Sequence, residues 1–254
     1  MLTNGLVVDL QQKNMKIALI GYGKMGRAIE DIATKVGHQV VLTIDDPDFD
    51  AETLKKADVA IEFTTPQSAV SNIKKCADAG IPIVVGTTAW YNDYNDACDY
   101  VLSKNSGLFT ATNFSIGVNL FWRITEMAAK LINDYDEYDA FIDEVHHTQK
   151  LDAPSGTAIT TAEKVLANFG RKNNWVHHEN GIGSSTNELE LSVRSFREEN
   201  VPGTHTVSFK SDIDTIEITH TAHSRKGFAS GALRAAEFMT GKSGIYTMKD
   251  LLNE

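Results

Sequence analysis

Proton carriers and anion binders share one short run, "EVHHTQKLDAPSGTA", over residues 144–158. Histidine exchanges a proton near neutral pH and lysine can fix a carboxylate or donate a proton, so His146 and Lys150 are equipped for acid–base work. The alternating pattern through the histidines reads as a strand, which sends adjacent side chains to opposite faces, so His146 and His147 need not share a role. Pro154, Ser155, Gly156 and Thr157 then precede a helical run. Hydroxyls and free amides at such a helix start form an anion cradle, and the whole run suits a small carboxylate. Paired histidines, repeated at His177 and His178, also occur in metal sites. Neither an HExxH motif nor a cysteine cluster accompanies them, so no metal is expected. Ser155 lacks the GxSxG elbow of a nucleophile and serves as a cap or a carboxylate donor.

A second candidate lies near the start. "GYGKMG" places Gly21, Gly23 and Gly26 between a strand and a helix, with Tyr22, Lys24 and Met25 between them. The first glycine permits the turn, the second lets a pyrophosphate approach the backbone, and the third allows helix and strand to pack closely. Asp45 follows nineteen positions after Gly26, where an acidic residue takes the adenosine ribose hydroxyls. With Asp46 beside it and no arginine to meet a 2′-phosphate, the expected cofactor is NADH in preference to NADPH. Small polar groups recur at three further strand ends, residues 63–66, 86–88 and 111–114, where an open α/β sheet forms its ligand crevice.

These groups need elements to hold them. From Met15, strand and helix alternate: "KIALI", "RAIEDIATKVG", "QVVLTID", "ADVAIEFTTP", a helix opened by Pro66, "IPIVVGTT" and "GLFTATNFS". That grammar implies a parallel sheet covered on both faces. After Ser115 it changes. Leu120, Ile124, Met127 and Leu131 have helical spacing, "YDAFIDEVHH" alternates like a strand, and "SGTAITTAEKVLANFG" is helical. "NELELSVRSF", "GTHTVSFK" and "DTIEITHTA" read as antiparallel strands, giving an α+β second domain before a closing helix. Residues 1–14 read as an N-terminal extension.

The 254 residues accommodate two domains, and 24 Lys and Arg against 34 Asp and Glu leave a formal charge of −10. That balance opposes general attraction to nucleic acid or to an anionic membrane. The apolar runs are too short to span a bilayer, and Cys76 and Cys98 stand apart as reduced thiols, so a cytoplasmic protein is expected.

Read in order, "GYGKMGRAI", "AIEFTTP", "VVGTTAW", "ATNFSIGVN", "EVHHTQKLDAPSGTA", "GTHTVSF", "EITHTAHSR" and "FASGALRAA" resemble the dihydrodipicolinate (4-hydroxy-tetrahydrodipicolinate) reductase family. The resemblance implies a Rossmann domain over 15–114 completed by about 225–254, and a domain over about 115–224 that binds a cyclic dicarboxylate and forms a homotetramer. It implies a catalytic acid/base at His146, a proton-donating Lys150, and substrate contacts at His147, Gly156 and Thr157. It implies dinucleotide contacts from Gly21 to Gly26, at Asp45, at Gly86, Thr87 and Thr88, and at Ala111, Thr112, Asn113 and Phe114. The implied reaction is reduction of 4-hydroxy-2,3,4,5-tetrahydrodipicolinate, with loss of water, in diaminopimelate and lysine biosynthesis. Many members carry H-R-H-K where this chain has "HTQK", so Thr148 and Gln149 remove positive charge beside the site. Two other readings share the glycine turn: a related amino-acid or oxo-acid dehydrogenase, and a nucleotide-sensing module without turnover.

Overall fold

The computed structural model describes residues 14–180, 187–224 and 226–253; apart from Asn14, the expected extension over residues 1–14 lies outside them. The chain forms two compact units, one running to Thr112 and resuming at Ala232, the other Asn113–Gly231. The sequence places the boundaries near 114 and 225, but Asn113 and Phe114 pack within the second unit. Asn113 Nδ2 donates to Thr157 Oγ1 at 3.2 Å, and a side chain on Gly231 would overlap the Phe114 carbonyl.

The first unit opens with β1 (Lys16–Ile20), α1 (Lys24–Lys35), β2 (Gln39–Ile44), β3 (Val59–Glu62), α2 (Pro66–Asp78), β4 (Ile83–Val85), α3 (Tyr94–Ser103) and β5 (Gly107–Thr110). Proline at the first turn of α2 gives up an amide that has no helical partner in any case. β3, β4 and β5 are buried along their whole length, as a parallel sheet requires of strands covered on both faces.

In the second unit, α4 (Ile116–Ile132), β6 (Asp139–His146), α5 (Gly156–Asn168), β7 (Asn174–Glu179), β8 (Glu190–Arg197), β9 (Gly203–Lys210) and β10 (Thr215–Ala222) follow, and α6 (Lys226–Met239) crosses the division between units. The chain ends with β11 (Gly244–Thr247) and α7 (Met248–Leu251). β11 pairs in parallel with β5 and completes a six-stranded sheet in the order β11-β5-β4-β3-β1-β2. Only four residues long and half-buried, it carries no periodic pattern to announce it.

The second sheet, β10-β9-β6-β8-β7, corrects the antiparallel expectation. β9 runs antiparallel to β6 and to β10, but β8 runs parallel to β6 and to β7. α5 carries the chain back between β6 and β7, and the chain returns once more before β8, so all three strands run the same way. β7 escapes sequence reading because "NWVHHE" alternates no apolar residues and is half-buried between two exposed ends.

Helical spacing correctly announces α4, yet Leu120, Ile124, Met127 and Leu131 are all exposed, Met127 at 72%. Its buried face is Val118, Phe121, Trp122, Thr125 and Ala129, with Trp122 Nε1 donating to Thr161 Oγ1 at 3.0 Å. Under α4 and α5 the core of this unit collects Ile142, Val165, Leu191, Val193, Val207 and Phe209. Phe209 has no exposed surface and its ring centroid lies 5.8 Å from that of Phe169. Phe209→Ala is expected to cost about 3–5 kcal/mol through lost burial and a residual cavity, seen as a lower urea midpoint.

Candidate functional site

Two separate sites emerge, one in each unit. In the first, Gly21 adopts φ +90°, and a side chain on it would overlap the Phe63 carbonyl. A side chain on Gly26 would overlap the Gly21 carbonyl, whereas around Gly23 there is open space. Gly21 thus takes a turn conformation, Gly26 leaves no room for a side chain, and Gly23 faces open space. Gly23 caps α1 without a side-chain bond, and Arg27 N is the first amide to bond back, at 3.1 Å to the Gly23 carbonyl. The amides at Lys24, Met25 and Gly26 therefore face outward at the positive end of the helix dipole, a fitting cradle for a pyrophosphate.

Asp45 follows the end of β2 and its Oδ1 accepts from Tyr22 N at 2.6 Å, fixing the glycine turn to that strand end. A cleft of ≈ 270 Å³ joins Gly21, Gly23, Asp45, Asp46, Thr64 and Ser68. Gly86, Thr87, Thr88, Ala111 and Thr112 belong to the same unit but do not line this cleft, and Asn113 and Phe114 belong to the other. Thr87 is held from beneath by Glu62, which has no exposed surface. Its Oε1 accepts from Thr87 Oγ1 at 3.1 Å, from Thr64 N at 3.1 Å and from the Thr64 hydroxyl, so one carboxyl pins the ends of β3 and β4. Burial pushes this carboxyl up, against the pull of its hydrogen bonds from Thr64, Thr87 and Asn72.

In the second unit the period of β6 decides the geometry. Ala140, Ile142, Glu144 and His146 share the buried face, and His147 goes to the other side. His146 lines a cavity of ≈ 340 Å³ with Thr157, Gly203, His205 and His220. His147 lines a different one, of ≈ 440 Å³, with Thr148, Gln149 and Glu199. Lys150 lines neither; its Nζ stands 2.8 Å from both carboxylate oxygens of Asp152. The structure therefore brings His146 and Thr157 together, and leaves His147 and Lys150 outside their cavity.

At the start of α5, Ser155 Oγ accepts from Ala158 N at 3.2 Å and its carbonyl takes Ile159 N at 3.0 Å. Ser155 N in turn goes to Glu144 Oε2 at 3.1 Å. Among the described residues the amides of Gly156 and Thr157 have no such partner, and Gly156 presents open space, so these two donors are free to meet an anion.

Sequence reasoning missed Glu144, His205, His220, Ser195 and Arg197. Pairing aligns Ser195, Glu144, His205 and His220 as a polar row across four strands. The available signal was the E-x-H spacing: two polar residues on the core face of a half-buried strand. Glu144, His146 and His205, all buried, offer ligand atoms within 4.8 Å of one another; the paired histidines at 146/147 and 177/178 do not form that group. Burial raises the Glu144 carboxyl, but approaching His146 and donors from Ser155 and Ser195 outweigh it and hold the group far below the usual carboxylate range. Burial, then the neighbouring His146, pushes His205 down to about 3, so its ring stays neutral.

A glycine-cradled α/β unit joined to an α+β unit with a buried histidine beside an open helix start defines a two-domain, dinucleotide-dependent oxidoreductase. Residues 15–114 match the family model "Dihydrodipicolinate reductase, N-terminus" and residues 117–252 match "Dihydrodipicolinate reductase, C-terminus". The chain belongs to the dihydrodipicolinate reductase family. A 4-hydroxy-tetrahydrodipicolinate reductase of Christiangramia forsetii is 45% identical over 242 residues, 94% of this chain and 98% of the relative. One from Neisseria meningitidis serogroup B is 37% identical over 87% of this chain and 81% of its own. The same fold occurs in a dipicolinate-bound dihydrodipicolinate reductase from Paenisporosarcina sp. TG-14, with a TM-score of 0.76 at 22% identity over 92% of this chain and 97% of the other.

The depressed His205 has a consequence for stability. Between about 6.5, where the unfolded histidine titrates, and about 3, the unfolded chain binds a proton that the folded chain refuses. Its contribution is complete above the unfolded value and is lost as pH falls. His205→Gln is expected to flatten the fall in urea midpoint between about pH 6.5 and 4.5, above the range where carboxylates such as Glu144 take over. An unaltered slope would count against a neutral His205.

Proposed function

We propose that this chain reduces 4-hydroxy-2,3,4,5-tetrahydrodipicolinate with NAD(P)H, consuming one proton and releasing NAD(P)+, water and 2,3,4,5-tetrahydrodipicolinate, a step of diaminopimelate and lysine biosynthesis. The observation that carries the reading is the pairing of His146 with the open start of α5 at Thr157 in one cavity, in a chain that matches the family over both units. The bound nicotinamide supplies the hydride. Gly21, Tyr22, Gly23, Lys24, Met25 and Gly26 hold the pyrophosphate, with Asp45 on the adenosine ribose and residues 86–88 and 111–114 toward the nicotinamide.

The protein's own work is orientation and proton management. The Gly156 and Thr157 amides and the Thr157 and Ser155 hydroxyls bind one substrate carboxylate. Lys150 leaves Asp152 to meet the substrate and donate a proton, and His146 acts as acid/base on the ring while His147 contacts its rim. Asp46 beside Asp45 repels a 2′-phosphate, which favours NADH. A cytoplasmic homotetramer built through the second unit completes the reading, and sedimentation velocity tests its assembly.

The decisive assay follows NADH oxidation with substrate made in place from pyruvate and aspartate semialdehyde by the partner synthase. Turnover supports the reductase, while NADH binding without turnover supports a sensor. Lys150→Ala is expected to lose most of its turnover while still binding NADH, and His146→Gln to lower kcat with a near-normal KM for NADH. Normal turnover in either variant removes that residue from the reaction. Asp45→Ala should lower the ratio of kcat/KM for NADH over NADPH by about tenfold, the size of one lost charge-assisted hydrogen bond pair; an unchanged ratio assigns the choice elsewhere.

A further inference from the structure

We propose that Glu144 is the positioning residue of the reaction, holding His146 in working orientation and tying it to the loop and the helix start that meet the substrate. The inference rests on the reading of His146 and Lys150 above. Glu144 has no exposed surface, yet each of its oxygens is engaged. Oε2 accepts from Ser155 N at 3.1 Å and stands 3.3 Å from His146 Nδ1, a close approach that lacks hydrogen-bond alignment at rest. Oε1 accepts from Ser195 Oγ at 2.7 Å and lies 3.5 Å from Arg197.

Arg197 extends the connection. Its NH2 donates to the Asp152 carbonyl at 2.8 Å and its Nε to the Lys150 carbonyl at 3.3 Å. One carboxylate therefore links the acid/base histidine, the capping residue of α5 and, through Arg197, the backbone of the Lys150 segment. An anion at Nδ1 favours the Nδ1–H tautomer and supports the imidazolium when the ring takes a proton. The other ring nitrogen is turned toward Gly203, where a Cβ would stand 3.0 Å from it, so the absent side chain leaves that nitrogen its space.

The charged and titratable groups around this histidine come from every neighbouring strand. β9 supplies His205, whose ring centroid is 5.1 Å from that of His146; β8 supplies Arg197, and β10 supplies His220 beyond His205. Lys150 and its partner Asp152 lie on the following loop. Within this set Glu144 is the carboxylate that approaches the imidazole directly.

Glu144→Gln keeps the shape and removes the charge. Expected are a kcat lowered ten- to a hundredfold, a KM for NADH within twofold of normal, and a histidine-dependent limb of the kcat/KM–pH profile moved to lower pH. Glu144→Asp should recover part of the rate, and Glu144→Gln added to His146→Gln should cost less than threefold more, because Glu144 acts through the ring. A merely structural Glu144 would lower the melting temperature and leave the pH limb in place. An unmoved limb, or multiplicative losses in the double variant, overturns the proposal. If Glu144→Gln does not fold, Ser195→Ala, which withdraws one donor from the carboxylate, takes its place with the same pH criterion. An active His146→Gln removes the histidine reading and this inference together, whereas an impaired His146→Gln beside a normal Glu144→Gln removes this inference alone.

Discussion

A carboxylate without solvent has to find donors on every side, since an isolated buried charge costs several kcal/mol even after the protein relaxes. The second unit is organised around that requirement at Glu144. Ser195 comes from β8, the Ser155 amide from the start of α5, His146 from the same strand two residues on, and Arg197 from the rim. Parallel pairing of β8 with β6 sets Ser195 directly opposite Glu144 and Arg197 opposite His146. An antiparallel β8 would run this spacing in reverse. The crossover through α5, which returns the chain from β6 to β7, also delivers a helix N-terminus to the carboxylate.

The first unit solves a related problem with the opposite device. Glu62 is also fully buried, but its donors are Thr64, Thr87 and Asn72, all neutral, and no cation reaches it among the described residues. Burial therefore wins and its carboxyl is pushed up, while at Glu144 the approaching histidine and the donors from Ser155 and Ser195 win and the carboxyl is pushed down. Glu62 is suited to bracing two strand ends through neutral donors. Glu144 is suited to keeping a charge beside a proton carrier.

Much of this is legible in the order of residues alone. Gly21, Gly23 and Gly26 are readable because each is demanded by a backbone constraint that local sequence expresses: a positive φ, an open approach and a close packing. The split between His146 and His147 follows from a period of two. What stays hidden is set by pairing over long separations. His205 lies sixty-one positions after Glu144 in the chain and directly beside it in the sheet, and nothing local to "GTHTVSF" says so. β7 and β11 are hidden for another reason: as edge strands, half-buried and short, they bury too little apolar surface to write an alternation. α4 marks the remaining limit, since periodicity announces a helix without saying which of two apolar faces the core takes.

Both units present an open helix start, and the two differ in how many amides their caps leave free. α1 has a glycine cap with no side-chain bond, so its first three amides take no partner within the helix. α5 has Ser155, whose hydroxyl consumes the Ala158 amide and whose own amide is taken by Glu144, leaving only Gly156 and Thr157. A pyrophosphate, long and bearing several oxygens, needs the first arrangement. Under the proposed function, a single carboxylate needs two donors at fixed places, and filling the neighbouring amides would keep it from sliding along the helix start away from His146. Selectivity for a small, rigid substrate would then come from closing donors as well as from supplying them.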